Sequence, residues 1–285
     1  MKNLKLANFV GLTVAAATMC LPALAQLNNP QGLAFDRAGH LLIANSGANN
    51  VLRVNATTGQ IVQRITSGVS GPSHLAFDSL GNLYVTNKTA NTVTEYDAAG
   101  TLTRTISGSF IQGPTGVAVD AYGDVYIANN SANNVVAVNV DGGLMETLTA
   151  DKSGFAFTAP GALAIYGQDL YVGLGPGSGE NAVIGYNVGE FLTGDPSEKV
   201  FCTNSINTGP TGIAFDSSGN IYVSDLYSGS WSLYSPSGVF QFAVSSGYAT
   251  GIAWDKTTGY IYVTDAVANN INVFTTAGAP VTTLF

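Results

Sequence analysis

The sequence has few charged residues, few cations and few cysteines. Charged residues make up 10% of the 285 positions and hydrophobic residues 46%, whereas globular domains usually carry about 25% charge. A chain so rich in apolar residues is not typical of disorder. With 10 Lys and Arg against 18 Asp and Glu, it lacks the clustered cations that nucleic-acid binding requires. Two cysteines are too few to form a zinc site alone or a disulfide framework.

The first 25 residues form a segment of their own. Lys2 and Lys5 precede an apolar run from Phe9 to Leu21, and the segment ends in Ala-Leu-Ala. This order is typical of a secretory signal peptide, and the run is shorter than the roughly 20 residues of a membrane span. We therefore expect cleavage after Ala25 and a secreted or periplasmic protein without stable membrane insertion. A retained anchor is the alternative.

An eight-residue segment recurs six times in the remaining chain. It reads NPQGLAFD in the first copy and GPTGIAFD in the fifth, and the copies begin at Asn29, Gly71, Gly113, Ala159, Gly209 and Tyr248. Each copy is followed by a second apolar run such as LYVTN, and then by a third and a fourth. These runs are short, rich in Val, Ile, Tyr and Thr, and bounded by turn residues, which predicts strands. Four strands per repeat of this length indicate the blades of a β-propeller.

The sequence therefore predicts an all-β fold, a six-bladed β-propeller of four-stranded antiparallel blades, over residues 26–285. The predicted blades are approximately 29–70, 71–112, 113–158, 159–208, 209–247 and 248–285. One position of the first strand is always alanine, as expected where blades converge and space is limited: Ala34, Ala76, Ala118, Ala164, Ala214 and Ala253. We expect the ring to close by packing of the last blade on the first without an exchanged strand, and the protein to be a monomer.

The repeat unit, P-x-G followed by an apolar-Ala-apolar-Asp run and then G-N-x-Y-V, resembles that of NHL-repeat proteins. The literal Tyr84-Val85-Thr86-Asn87 also resembles YVTN-type propeller repeats, and the six-bladed ring is similar to gluconolactonase-like propellers. The resemblance covers residues 29–285. It implies the fold, and leaves open whether the protein binds or catalyses, because such propellers do both.

The aspartates that recur in the repeats have a structural interpretation. Asp78 is followed three residues later by Gly81, and a glycine follows three or four residues after each of Asp36, Asp120, Asp216 and Asp255. An Asp that caps its own turn beside a glycine with positive φ is hairpin chemistry. Asp225, at the end of a second strand, is expected to cap backbone groups as well, although it can also present oxygens to a polar ligand.

The middle residue of P-x-G is a candidate ligand position. In lactonase-type propellers, which this chain resembles, that position supplies Asp, Asn or Glu ligands to a divalent metal in the central channel. Here it holds Gln31, Ser73, Thr115, Gly161, Thr211 and Thr250. A hard cation favours carboxylate and carbonyl oxygens, so we predict no metal and no cofactor, and a neutral polar ring that binds a ligand.

His74 stands where the other repeats have Gly or Ala. A histidine at a channel mouth can act as a general base because its pKa lies near neutrality, and propeller lyases that resemble this chain use histidine in the channel. His74 is therefore the candidate catalytic residue. The alternative is a histidine that fills the channel and bonds to the backbone.

The fourth repeat is longer than the others, and insertions in repeat proteins often map to the binding face. We predict that its loops and the neighbouring fifth repeat form one side of a binding rim. The residues assigned to this rim are Phe155, Phe157, Glu180, Tyr227 and Trp231. The alternative is a Gly-rich surface loop whose aromatic residues pack on the adjacent blade.

Two functions remain open from the sequence. The first is an exported module that binds a small polar ligand or a protein partner, and it rests on the neutral channel ring. The second is a lactonase- or lyase-type enzyme with its site at the channel mouth.

Overall fold

A computed structural model describes residues 27–150, 156–175, 183–191, 198–202 and 209–285. Within these residues the chain forms six four-stranded antiparallel sheets, as the repeats predict. The predicted signal peptide at positions 1–25, Phe155 and Glu180 lie outside the described residues.

The first three blades have nearly equal strands. Blade 1 contains β1 (Pro30–Phe35), β2 (His40–Asn45), β3 (Asn50–Asn55) and β4 (Ile61–Ile65). Blade 2 contains β5 (Pro72–Phe77), β6 (Leu83–Asn87), β7 (Thr92–Tyr96) and β8 (Leu102–Ser107). Blade 3 contains β9 (Pro114–Val119), β10 (Val125–Asn129), β11 (Asn134–Val138) and β12 (Leu144–Leu148).

The last three blades repeat the pattern. Blade 4 contains β13 (Leu163–Tyr166), β14 (Asp169–Gly173), β15 (Val183–Asn187) and β16 (Glu198–Cys202). Blade 5 contains β17 (Pro210–Phe215), β18 (Ile221–Asp225), β19 (Ser230–Tyr234) and β20 (Phe240–Ser245). Blade 6 contains β21 (Ala249–Trp254), β22 (Ile261–Asp265), β23 (Asn270–Phe274) and β24 (Pro280–Leu284). A 3₁₀ turn (Ser46–Ala48) and a four-residue helix α1 (Val188–Phe191) complete the described elements. Neither is long enough to cross a membrane.

Each blade is one continuous segment of chain, with its strands paired in sequence order. The first strands of neighbouring blades contact one another, and β1 contacts β21. The first strands therefore line the central channel, and the ring closes without strand exchange, as predicted.

The hydrophobic core is divided among six clusters, each shared by two consecutive blades. Each cluster includes one of the six repeated alanines. Between blades 5 and 6, for example, Ala214 packs with Trp231, Ile252 and Phe274. Burying apolar surface between sheets stabilises the ring by about 25 cal/mol per Å², so the blade-to-blade interfaces hold the fold together.

Polar contacts repeat at the seams between blades. Asn269, with φ of 57°, accepts a hydrogen bond from the backbone N–H of Asn29 at 2.6 Å, and this contact closes the ring from blade 6 to blade 1. Three other left-handed asparagines make the same contact to the next blade: Asn49 to Gly71, Asn91 to Gly113 and Asn133 to Ala159. Asparagine tolerates this conformation better than most residues, so these positions combine a turn with an inter-blade bond.

The repeated aspartates cap hairpin turns, in agreement with the sequence interpretation. The Oδ1 atom of Asp78 accepts hydrogen bonds from the N–H groups of Leu80 and Asn82, both at 2.8 Å. The same contacts occur at Asp120 and Asp216. These carboxylates are engaged by backbone on the face opposite the turns that connect second and third strands.

The second strands carry buried tyrosines whose pKa values are raised, and we therefore expect the protein to lose stability at alkaline pH. Burial, then the negative charge of Glu95, raises the pKa of Tyr84 to about 12, and burial with Asp216 also raises the pKa of Tyr222. Unfolded tyrosines ionise near pH 10, so the unfolded chain loses protons first and stability falls as pH rises above about 10. We expect the Tyr222→Phe variant to show a shallower decline in urea unfolding free energy between about pH 10 and pH 11. Tyr122→Phe, at an 84% exposed side chain, is the matched control. Equal slopes in both variants and the wild type would contradict the assignment.

Candidate functional site

A cavity of about 340 Å³ opens where the first strands begin and the second strands end. We call it the channel mouth. It contains five of the predicted ring residues together with His74 and Tyr227: Gln31, Ser73, Thr115, Thr211 and Thr250. Gly161, the sixth ring position, also lines it. The repeat frame thus brings these residues to one site, and none of the described residues that line it carries a carboxylate.

The ring threonines are bonded to the neighbouring blade. Each hydroxyl donates to a backbone carbonyl at the start of the next first strand: Thr115 to Pro160 at 2.9 Å, Thr211 to Ala249 at 2.9 Å and Thr250 to Pro30 at 3.0 Å. A hydroxyl has one proton to donate, so these groups can only accept from a ligand. The ring is therefore first an inter-blade brace, and its contribution to binding is that of hydrogen-bond acceptors.

His74 reaches across the channel. Its Nε2 atom lies 2.5 Å from the carbonyl oxygen of Thr211, 137 positions away in the chain, and joins blade 2 to blade 5. Its Nδ1 atom lies 3.4 Å from the Ser73 hydroxyl oxygen. The imidazole of His74 lines the cavity and, because it spans the channel, forms the cavity floor. This agrees with a histidine that fills the channel and bonds to backbone.

The protonation of His74 follows from these contacts. A carbonyl only accepts, so Nε2 carries the proton and Nδ1 keeps its lone pair in the neutral ring. Burial lowers the pKa of His74, and its hydrogen bonds to the backbone of Thr211 and Thr115 oppose that shift. A buried imidazole loses hydration when charged, so the neutral form predominates at pH 7. The floor of the mouth therefore offers one neutral acceptor nitrogen.

A divalent metal does not fit the described mouth. The ring contains hydroxyls, one amide and glycine, whereas Ca²⁺ takes six to eight oxygens that usually include carboxylates. Among the described residues, no group of three or more His, Cys, Asp or Glu side chains is close enough to hold a metal ion. The described ring therefore offers no carboxylate to such a cation.

Two predicted ligand-binding residues, the rim residue Tyr227 and the strand-ending Asp225, have different roles. Tyr227 is 63% exposed and lines the mouth. Asp225 is buried below it, and its oxygens accept hydrogen bonds from the N–H groups of Gly209 at 3.1 Å and of Tyr227 and Ser228 at 2.9 Å. Asp225 therefore shapes the turn that presents Tyr227.

The predicted rim positions of Trp231 and Phe157 are wrong. Trp231 is fully buried between Tyr222, Phe242 and Phe274, and Phe157 is buried against Tyr186 in the core between blades 3 and 4. The physical reason is their position in the repeat, because both side chains occupy positions that point into a blade interface. Equivalent residues are buried in other repeats: Val51, Val93, Val135 and Ile271 for Trp231, and Leu27 and Ile111 for Phe157.

The sequence interpretation missed three polar residues of the mouth. Ser46, Lys88 and Asn130 line the cavity, and each follows the Asn that ends a second strand. Leu226 follows Asp225 in the same way. The position immediately after the Asn or Asp that ends each second strand is therefore the signal in the repeat that identifies these residues.

No family model and no curated protein matches the chain, but solved structures resemble it. Virginiamycin B lyase from Staphylococcus aureus is 16% identical with a TM-score of 0.66, and the match covers 90% of this chain and 84% of that one. Its catalytically inactive histidine-to-alanine variant has been solved with quinupristin.

Two other structures show the same architecture. A chain of the nidogen/laminin complex is 15% identical with a TM-score of 0.70, and the match covers 86% of this chain and 92% of that one. A gluconolactonase from Xanthomonas campestris is 16% identical with a TM-score of 0.67, and covers 84% and 85%. At these identities the similarity shows the propeller fold, and the functions of these proteins range from catalysis to a protein complex.

Proposed function

We propose that this protein is an exported propeller module that binds a small, polar, uncharged ligand at the channel mouth. The observation that carries the proposal is a cavity of about 340 Å³ whose floor is closed by the neutral ring of His74. A concave site with a few converging polar groups is the usual form of a small-molecule site.

The lining matches a ligand rich in hydroxyl or amide groups. The floor supplies acceptors, namely Nδ1 of His74 and the hydroxyl oxygens of the ring, and these call for ligand donors. The lining also supplies donors in the amide of Asn130 and in the ammonium of Lys88, whose side chain is exposed to solvent and stays hydrated. Since polar groups in such a site must be paired to avoid a desolvation penalty, an uncharged ligand with both donors and acceptors fits best.

A mouth-blocking variant tests this proposal. We expect hexoses, polyols, lactones and primary amides to give ligand-observed saturation-transfer signals with the wild type, and Asn130→Trp to weaken the affinity obtained by titration about tenfold, equivalent to about 1.4 kcal/mol. Leu144→Trp, on the outer strand β12 and exposed, is the matched control and should keep the signals. Circular dichroism establishes that both variants fold.

Two results of that experiment would count against the proposal. One is binding that survives in Asn130→Trp, which would place the ligand elsewhere. The other is binding that disappears with excess EDTA and returns with Ca²⁺, which would favour a metal-dependent lactonase.

A metal-independent lyase is the second candidate. The specific observation in its favour is the lone pair on Nδ1 of His74, because an elimination needs a base that accepts a proton from carbon. The catalytically inactive histidine-to-alanine variant of the structurally similar virginiamycin B lyase also supports it. The bond from His74 to Thr211 supports the binding module instead, since it gives the ring a structural role.

The family and the location are parts of the proposal. The repeat unit supports NHL- or YVTN-type repeats, and the segment at positions 1–25 supports export. Mass spectrometry of the protein from a secreting host would test the location, and a mature chain beginning at Gln26 is the expected result.

A further inference from the structure

Two neighbouring repeats depart from the others at a position on the mouth face. The second residue after the Asn or Asp that ends a second strand is small in blades 1 to 3, where it is Gly47, Thr89 and Ser131. In blades 5 and 6 it is Tyr227 and Val267. These two side chains are 63% and 69% exposed, so burial in the core does not explain their size.

A third departure lies beside them. The first residue of the repeated eight-residue segment is Asn, Gly or Ala in the first five copies: Asn29, Gly71, Gly113, Ala159 and Gly209. In the sixth copy it is Tyr248, which is 46% exposed. Loop residues on a rigid scaffold often carry binding, and three enlarged residues at otherwise small positions form a local feature of this ring.

The three residues line one groove of about 450 Å³ between the turns of blades 5 and 6. The groove adjoins the channel mouth, because Leu226 and Tyr227 line both. Gly209 allows the Tyr227 ring to lie there, since a Cβ at position 209 would collide with it. The ring of Tyr227 therefore lies over backbone at the boundary between the two depressions.

The groove has one charged side chain. The carboxylate of Asp265 accepts hydrogen bonds from the N–H groups of Val267 at 3.1 Å and Ala268 at 3.0 Å, so its own turn holds it in place. The remaining polar side chains are the tyrosine hydroxyls and those of Ser228 and Ser245. The groove thus combines aromatic faces with neutral hydrogen-bonding groups and one carboxylate.

We propose that the mouth and this groove together bind a linear chain of neutral sugars, with a terminal unit in the mouth and the next units along Tyr227 and Tyr248. The inference deepens the proposed function and rests on it. Sugar rings present an apolar C–H face to an aromatic ring and hydroxyls to neutral polar groups, which matches both parts of the surface. The protein's net charge of −8 disfavours an acidic polymer.

The geometry favours a sugar chain over a peptide. An extended peptide that adds to a sheet needs a free strand edge, and this groove is built from turns. A docked amphipathic helix needs a row of apolar anchors, whereas the apolar and aromatic residues of the groove stand on separate turns and alternate with Ser228, Gly229 and Asp265. A proline-rich peptide is the remaining peptide mode, because it binds aromatic-lined grooves, and the experiment includes it.

The experiment measures affinity against chain length by calorimetry on the full-length mature protein. The probes are chitooligosaccharides and maltooligosaccharides of about one to five units. We expect the affinity for one of the two series to rise at least about tenfold from one unit to four, because each added contact lowers the free energy of binding. Tyr248→Ala should flatten this rise. Tyr122→Ala, an exposed tyrosine on the opposite face, is the matched control and should leave it unchanged.

The other outcomes separate this inference from the proposed function. A single sugar that binds with no gain on lengthening would overturn the inference and leave the mouth as a small-ligand site. If neither series binds, but small amides or polyols bind the wild type and not Asn130→Trp, the inference is also overturned and the mouth remains a small-ligand site. Chain binding that persists in Asn130→Trp would instead count against the mouth. A proline-rich decapeptide that binds the wild type and is lost in Tyr248→Ala would identify a peptide groove and refute the sugar proposal.

Discussion

Replacing His74 by alanine is expected to lower the free energy of unfolding by about 1–3 kcal/mol at pH 7. The variant loses the bond from Nε2 to the Thr211 carbonyl at 2.5 Å, which joins opposite sides of the ring, and leaves a gap in the channel floor. Water can reach the carbonyl through the mouth, which favours the lower end of that range. His74→Gln keeps an N–H donor and should recover part of the loss. Urea unfolding followed by circular dichroism measures both.

The same residue predicts a pH dependence. Burial lowers the pKa of His74 below 6.5, so the folded state resists a proton that the unfolded state accepts. The stability contribution is therefore complete above pH 6.5 and is lost as pH falls below it. Between about pH 6.5 and pH 5, before most carboxylates titrate, the wild type should lose stability faster than His74→Gln. Equal slopes in the two proteins would contradict the buried neutral imidazole.

The His74 variants also separate the two candidate functions. If His74 only closes the floor, His74→Gln should recover ligand binding together with stability. If it is the base of a lyase, both variants should lose turnover even where His74→Gln is as stable as the wild type, because an amide does not accept the proton. Turnover that tracks stability in both variants would exclude the catalytic role.

Gly251→Ala is expected to cost about 1–3 kcal/mol by overpacking the seam that closes the ring. A Cβ at Gly251 would collide with the carbonyl oxygen of Gln31 and lie 2.9 Å from the Cα atom of Gly32. Both contacts are backbone of blade 1, which cannot move away without opening the seam. The exposed Gly143→Ala, whose added Cβ would meet only the Asn139 side chain at 3.3 Å, should change stability by less than about 0.5 kcal/mol.

A second variant separates steric clash from loss of polar contacts at this seam. Thr250→Ala removes the hydroxyl that donates to Pro30 at 3.0 Å and adds no bulk towards blade 1, so it should cost about 1 kcal/mol. Thr211→Ala removes the equivalent bond between blades 5 and 6 and should cost about the same. If Gly251→Ala were as stable as the wild type, the seam between blades 6 and 1 would have room that the structure does not show.

Much of this architecture was readable in the repeat. The strands, the six blades and the turn role of Asp78 follow from local patterns, because hairpin turns and alternating strands are short-range structures. The repeat also indicates the burial of Trp231. Trp231 aligns with Val51 and Val93, which are fully buried, so its burial could have been predicted from register, whereas its aromatic character alone suggested a rim.

Local patterns in the sequence specify the strand pairs, the capped turns and six equivalent units with small residues where the blades meet. The partners of the side chains in the mouth follow from the closed ring. His74 bonds to Thr211 on the opposite blade, and Thr115, Thr211 and Thr250 bond to the next blade. These contacts depend on the angle between blades and the radius of the ring, which arise from the packing of all six units. For the same physical reason, the groove that joins Tyr227 to Tyr248 becomes visible only when the ring is closed.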